Sequence, residues 1–196
     1  MNGKTAMARF GFFLLALLAV MSGGTAAAQN GPEGWRLLGR GGHVVLIRHA
    51  LAPGFGDPAT FTLGDCATQR NLSEEGRRQA RAIGHALRAQ GIPIEGVFSS
   101  QWCRCRETAE LAFGAFREHP ALNSFFERPE LKTAQTRAMK ALLDEHRPAA
   151  GNLILVTHQV NITALTDIVT DPAEMVVAAL DEQGALAVKA RIRIEQ

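Results

Sequence analysis

Short apolar runs alternate with longer amphipathic segments from residue 43 onward. The short runs are rich in Val, Ile and Leu, as is typical of buried strands; they are "HVVLIR" (43–48), "IEGVFSS" (94–100) and "NLILVTH" (152–158). The longer segments carry apolar residues at helical spacing; they cover residues 71–91, 102–116, 134–147 and 159–169. The pattern predicts strands separated by helices.

The helix within residues 71–91 has clear end signals. Ser73 can cap its start, acidic side chains follow in the first turn, and Gly91 lies just past its end. Its apolar side chains fall on one face, which predicts packing against a sheet.

The C-terminal segment, residues 174–195, alternates apolar and polar positions around an Asp-Glu-Gln-Gly turn and predicts a β-hairpin. Strands that alternate with helices favour a parallel sheet. We therefore expect an α/β fold with three layers, α/β/α, in which the central sheet is mostly parallel and the hairpin lies at its edge.

The N-terminus has the pattern of a secretory signal peptide over residues 1–28: a basic start, an apolar run and a small-residue cleavage site. We expect a lead-in segment at 29–42 and one domain at 43–196. The prediction is a periplasmic or secreted protein with no stable membrane insertion after cleavage; an uncleaved anchor is the alternative.

The formal net charge of the whole chain is +2, and the leader contains two basic side chains and no acidic one. The mature chain is therefore neutral, so its net charge does not support a nucleic-acid partner. A local cationic pocket remains compatible with that balance.

Polar side chains follow all three predicted strands. Arg48 and His49 end the first, Arg104 comes shortly after the second, and His158 ends the third. Ligands of open α/β sheets bind beyond the carboxyl ends of the strands. Two Arg and two His at one edge would form a cationic pocket suited to a phosphate or carboxylate.

Three cysteines lie in the mature part of the chain: Cys66, Cys103 and Cys105. Export favours a disulfide, in which Cys66 pairs with one of the other two. Spacing does not choose between them. The three cysteines lack the usual ligand spacing of a zinc site, and no metal is predicted.

Four segments resemble the histidine phosphatase superfamily, also called phosphoglycerate-mutase-like or acid-phosphatase-like. They are "LIRHA", "NLSEEGRRQARAIG", "VFSSQWCRCRETA" and "LILVTHQVNITAL", and they occur in the order found in that family. The resemblance implies that His49 is the nucleophile and becomes phosphorylated. It implies that Arg48 and Arg104 bind phosphoryl oxygens and that His158 stabilises their charge, without a cofactor. With Arg104 directed at phosphate, Cys103 is the favoured partner of Cys66.

The chain departs from the family in three places. Ala50 follows His49 where the family often has Gly, and the loop "LAPGFG" lacks the Ser and Asn of mutase-like members. Gln159 stands where acid-phosphatase-like members have an Asp that acts as the acid. We take Glu127 as the candidate general acid; its alternative role is a surface partner of Arg128.

The predicted function is that of an exported, metal-independent phosphomonoesterase acting on a small phosphate ester, with an envelope phosphosugar as a candidate substrate. Two alternatives stay open. One is a phosphoprotein phosphatase acting on phosphohistidine. The other is a phosphate-binding pseudoenzyme that lacks a general acid. The sequence does not reveal an oligomeric state.

Overall fold

The computed structural model describes Met1 and residues 29–194. The predicted leader, apart from Met1, lies outside the described residues. Within the described part, no helix has both the length and the apolar character needed to span a bilayer.

One mixed sheet organises the described part of the chain. Its strands are β1 (Gln29–Asn30), β2 (Val44–Arg48), β3 (Ile94–Ser99), β4 (Arg117–Glu118), β5 (Asn152–Thr157), β6 (Met175–Leu180) and β7 (Leu186–Ile192). Their order across the sheet is β1-β7-β6-β2-β5-β3-β4. Strands β2, β5, β3 and β4 are parallel to one another, while β6 is antiparallel to β2 and forms a hairpin with β7. The predicted mostly parallel sheet with a C-terminal hairpin toward one edge is confirmed.

Helices cover both faces of the sheet. They are α1 (Pro32–Arg40), α2 (Glu74–Ala89), α3 (Cys103–Phe113), α4 (Lys132–Glu145) and α5 (Gln159–Thr166). Alternate side chains of β2 enter different cores: Val45 and Ile47 pack with α2 and α3, and Val44 and Leu46 pack with α4 and α5. A strand sends successive side chains to opposite faces, so the continuous apolar run of β2 fills both cores. The predicted three-layer arrangement is confirmed.

Helix α1 was not predicted from the sequence, where residues 29–42 form only a lead-in. Two internal glycines weaken its helical signal. Tertiary packing compensates for that weakness: Leu38 is fully buried, and a Cβ at Gly34 would lie 2.7 Å from Ile192 Cγ1. Glycine therefore allows α1 to lie directly against β7.

Helix α2 begins as its sequence predicts. Ser73 Oγ accepts a hydrogen bond from the Gly76 amide at 3.1 Å. A Cβ at Gly76 would clash with the Leu51 carbonyl oxygen. This close approach holds the chain that leaves β2 against the first turn of α2, next to the strand ends.

Candidate active site

The carboxyl ends of β2 and β5 lie side by side, and Arg48 is opposite Thr157 in the parallel register. The residues that follow them, His49 and His158, have ring centroids 5.4 Å apart in an edge-to-face arrangement. Arg104 lies in the first turn of α3, which follows β3. The structure thus brings together Arg48, His49, Arg104 and His158.

The hydrogen bonding of His49 determines its tautomer. Its Nδ1 lies 2.8 Å from the Ala50 carbonyl oxygen. A carbonyl can only accept, so Nδ1 carries the hydrogen and Nε2 of the neutral ring keeps its lone pair. His49 is 3% exposed. The chain therefore presents an unprotonated imidazole nitrogen at the end of β2.

The surroundings of His49 keep it neutral. Burial and the positive charge of Arg104, with a smaller effect of Arg48, lower the pKa of His49 from its ordinary 6.5 to about 3. Burial and the same charges place the pKa of His158 well below 6.5. Both rings are uncharged at neutral pH, and the positive charge of the site belongs to its arginines.

His158 is held by a chain of hydrogen bonds. Its Nε2 lies 2.9 Å from Ser100 Oγ, and Ser100 Oγ donates to Asn123 Oδ1 at 3.2 Å. Because the hydroxyl has one hydrogen and uses it on Asn123, it accepts from Nε2–H of His158. Trp102 packs edge-on against the ring, with centroids 5.5 Å apart.

Arg104 forms a buried ion pair with Asp57 of the loop that follows β2. Nη1 lies 2.8 Å from Oδ1 and Nη2 lies 3.0 Å from Oδ2. The Arg104 side chain is 3% exposed and that of Asp57 is 9% exposed. Arg106, two positions along α3, forms a half-exposed pair with Glu118 instead. Arg104, the arginine chosen from the sequence, is thus the buried one of the two.

Two further arginines border the cluster. Arg48 Nη1 donates to the Thr170 carbonyl at 2.6 Å. Arg70, at the end of the loop after β2, donates from Nε to Gly56 O at 2.7 Å and from Nη1 to Ala52 O. Burial and the nearby charge of Arg104 lower the pKa of Arg70. Three guanidinium groups thus surround two neutral imidazoles, an arrangement that attracts a phosphoryl dianion.

Glu127 lies outside the buried cluster. The residue is exposed, and its Oε1 occupies the space next to Gly56 that a Cβ would need. Arg128 pairs with Glu130. Neighbouring Phe126 packs against Phe55, with ring centroids 4.7 Å apart. Glu127 is therefore at the surface where the segment after β4 meets the loop after β2.

The cysteines pair as favoured from the sequence. Cys66 and Cys103 form a disulfide, and Cys105 is a buried free thiol. The disulfide joins the loop that carries Asp57 and Arg70 to the residue before Arg104. Among residues 29–194, no group of three His, Cys, Asp or Glu side chains is arranged to hold a metal ion.

Sequence reasoning missed Asp57 and Arg70, whose side chains lie with Arg104. A signal was available, because the loop after β2 leaves the carboxyl edge of the sheet and its charged residues belong near any ligand there. The lack of Ser and Asn in "LAPGFG" suggested few phosphate donors in this loop. The structure adds the guanidinium of Arg70 from the loop's far end.

Comparisons with known proteins agree with this geometry. The model of the histidine phosphatase superfamily (branch 1) matches residues 44–125. The mitochondrial serine/threonine-protein phosphatases Pgam5 of Drosophila virilis and Drosophila willistoni are each 33% identical over 69 residues, which are 35% of this chain and 21% of those proteins. The chain therefore matches about a fifth of the length of these curated relatives.

Two solved structures share the fold. The protein histidine phosphatase SixA, complexed with tungstate, superposes with a TM-score of 0.52 at 18% identity and covers 76% of this chain and 95% of its own. Phosphoglycerate mutase from Thermus thermophilus has a TM-score of 0.54 at 19% identity and covers 78% of this chain and 99% of its own. The family model thus matches less than half of this chain, and the solved structures share its fold.

Proposed function

We propose that this chain is an exported, metal-independent phosphomonoesterase that acts through a phosphohistidine at His49. The proposal rests on the contact of His49 Nδ1 with the Ala50 carbonyl, which leaves the lone pair on Nε2. This nitrogen lies in a buried site beside Arg48, Arg70 and Arg104. A neutral imidazole is a competent nucleophile, and arginines stabilise charge on a transferring phosphoryl group.

In the first step, His49 Nε2 attacks phosphorus in line with the ester oxygen, the N–P bond forms and the P–O bond to the leaving group breaks. The electron pair of that bond goes to the leaving oxygen, which needs a proton. In the second step, water attacks the phosphohistidine and gives a proton back to the carboxylate that served as the acid, and the N–P bond breaks to give inorganic phosphate and neutral His49. Arg48 and Arg104 hold the non-bridging oxygens in both steps, and the His158 ring, held by Ser100, lies beside them.

Glu127 remains our candidate for the acid that protonates the leaving oxygen. Its carboxylate lies beside Gly56, next in sequence to the residue that pairs with Arg104. This position at the surface suits contact with the leaving group better than contact with phosphorus. Gln159 has no acidic proton to donate.

For the substrate, we propose a phosphosugar of the cell envelope, in keeping with the signal-like sequence of residues 1–28. A phosphoprotein is the second candidate. It is favoured by the likeness to a protein histidine phosphatase and to serine/threonine-protein phosphatases. A phosphohistidine substrate would also need less acid assistance than an alcohol ester.

Trapping the covalent intermediate tests the mechanism. After brief mixing with labelled substrate and denaturation, we expect acid-labile, alkali-stable phosphate on the wild-type protein and none on His49→Ala. His85→Ala, which changes an exposed histidine of α2, is the matched control and should label normally. Label that persists in His49→Ala would exclude a phosphohistidine intermediate at His49.

A panel of phosphosugars, aryl phosphates and phosphopeptides would rank the substrate classes by kcat/KM. Binding of vanadate without turnover of even an activated aryl phosphate would instead support the pseudoenzyme alternative.

A further inference from the structure

The Asp57 carboxylate is fully engaged in hydrogen bonds. Oδ1 accepts from Arg104 Nη1 at 2.8 Å and from the Arg70 amide at 3.1 Å. Oδ2 accepts from Arg104 Nη2 at 3.0 Å and from Trp102 Nε1 at 3.0 Å. Donors from the loop, from α3 and from the residue that precedes α3 thus converge on one carboxylate. An acceptor with this many donors is bound as the anion.

The same bonds exclude Asp57 as the proton donor of the reaction. Burial acts to raise the pKa of Asp57, but the hydrogen bonds from Arg104, Arg70 and Trp102 outweigh it and leave the pKa below its ordinary value. A group that is ionised at neutral pH has no proton to give to a leaving oxygen. Its role must lie in what it does to Arg104.

The ion pair uses one particular edge of the Arg104 guanidinium. A guanidinium offers two bidentate edges to an anion, the end edge between Nη1 and Nη2 and the side edge between Nη2 and Nε. Asp57 occupies the end edge. Arg104 Nε is buried and has no hydrogen-bond partner among the described residues, and Nη2 has a second hydrogen. The side edge is the one left for a ligand.

Arg48 shows a similar arrangement. Its Nη1 is anchored to the Thr170 carbonyl, and its Nε is also buried without a partner in the described part of the chain. Buried N–H groups without acceptors are rare, because the lost hydrogen bond to water costs free energy. Two such groups in one cationic cluster indicate a site that an anion completes.

We propose that Asp57 is a positioning residue that anchors the end edge of Arg104 so that its Nε–Nη2 edge faces the phosphoryl group. The inference rests on the proposed function for the identity of the ligand. Asp57 stays in place when the anion binds, and Arg104 then bridges the Asp57 carboxylate and two phosphoryl oxygens.

Asp57→Asn tests this role, because it keeps the size of the side chain but replaces one acceptor oxygen by an NH2 group that opposes the donors. Glu107→Gln is the matched control. It removes the charge of another ion pair of α3, in which Arg77 Nε lies 2.6 Å from Glu107 Oε1. Circular dichroism and thermal melting establish that each variant is folded.

The first readout is the dissociation constant of vanadate and of inorganic phosphate by calorimetry. We expect Asp57→Asn to weaken both about tenfold or more, as expected when one partner of a buried charged pair is removed. The second readout is kcat/KM on an aryl and an alkyl phosphate, which should fall by the same factor for both. Glu107→Gln should match the wild type.

Three results would overturn the inference. Tighter anion binding by Asp57→Asn would mean that Asp57 occupies the phosphate position and must leave. A loss on the alkyl phosphate alone, with loss of the basic limb of the pH profile, would mean that Asp57 is the acid. Unchanged binding would mean that it does not orient Arg104.

If Asp57→Asn does not fold, the wild-type protein still provides a test. The Nε–H resonance of Arg104, assigned with Arg104→Lys, should shift when phosphate is added, and a resonance that does not move would refute the proposed edge. These readouts follow anion binding, whereas the proposed phosphatase function is judged by label on His49. A failure of the positioning role of Asp57 can therefore be told apart from a failure of the proposed phosphatase function.

Discussion

The imidazole rings of His49 and His158 lie edge to face with their centroids 5.4 Å apart, and both are almost fully buried beside Arg104. Burial and the charge of Arg104 keep the pKa of His49 at about 3 and that of His158 well below 6.5. The two rings can lie this close in a cationic site because neither carries a proton charge at neutral pH.

This pair predicts a loss of stability in mild acid. The unfolded chain takes up protons on both histidines below about pH 6.5, whereas in the folded chain His49 does so only as the pH approaches 3 and His158 only well below pH 6.5. Unfolding therefore becomes more favourable as the pH falls below 6.5. At pH 5, His49 alone should contribute about 2 kcal/mol of this loss. Urea unfolding at pH 7.5 and pH 5 measures it.

The variant His49→Gln should lose less stability between these two pH values than the wild type does. His85→Gln changes an exposed histidine and should follow the wild type. If the free energy of unfolding of His49→Gln fell between these pH values by as much as that of the wild type, the acid-induced loss could not be assigned to His49.

Arg70 is predicted to contribute to phosphate binding, although the family resemblance did not indicate it. It lies with Arg104 at the site, and its guanidinium is held by the carbonyls of Ala52 and Gly56. We expect Arg70→Ala to lower kcat/KM about 10²-fold, the effect of removing one donor to a developing oxyanion. Steady-state kinetics on an aryl phosphate provide the measurement.

Arg106→Ala is the control for this experiment, because Arg106 pairs with Glu118 at a half-exposed position on α3. It should retain wild-type kinetics. Equal losses in both variants would indicate an effect of overall positive charge rather than of Arg70.

The Cys66–Cys103 disulfide closes a loop with a sequence separation of 37 that contains Arg70. In the chain-entropy description, such a crosslink stabilises the folded state by about 4 kcal/mol. We expect dithiothreitol to lower the free energy of unfolding by an amount of that order, and Cys66→Ser to have the same effect. Urea titrations with and without the reductant measure it.

Cys66→Ser provides its own control, since dithiothreitol should not lower its stability further. Cys66→Ser leaves Cys103 and Cys105 as free thiols; Cys105 is not expected to react, because burial raises its pKa to about 12. Equal stability of the oxidised and reduced wild type would refute this role of the disulfide.

If Glu127 is the general acid, the effect of replacing it should depend on the leaving group of the substrate. Glu127→Gln should lower kcat for an alkyl phosphate about 10²-fold and leave an activated aryl phosphate almost unchanged, because an aryl oxide leaves without a proton. Glu130→Gln, which changes the exposed acidic partner of Arg128, should affect neither substrate. A similar loss on both substrates would exclude the role.

The candidate site shows what local sequence can predict. Arg48, His49 and His158 were found because each follows an apolar run, and parallel strands bring their carboxyl ends to one edge. Arg104 required the family resemblance to separate it from Arg106, since both lie in the first helical turns after β3. Helix α1 was missed because its glycines weaken the local signal, and contacts with β7 from the other end of the chain stabilise it.

By itself, the sequence determined the alternation of strands and helices, the limits of α2 and the edge at which the His and Arg residues gather. These depend on hydrophobic period, capping and strand direction, which are local properties. Only the tertiary structure decided that Asp57 pairs with Arg104, that Arg70 joins the cluster and that Cys66 bonds to Cys103. Those contacts depend on the path of the irregular loop after β2 through space, and no periodic pattern encodes that path.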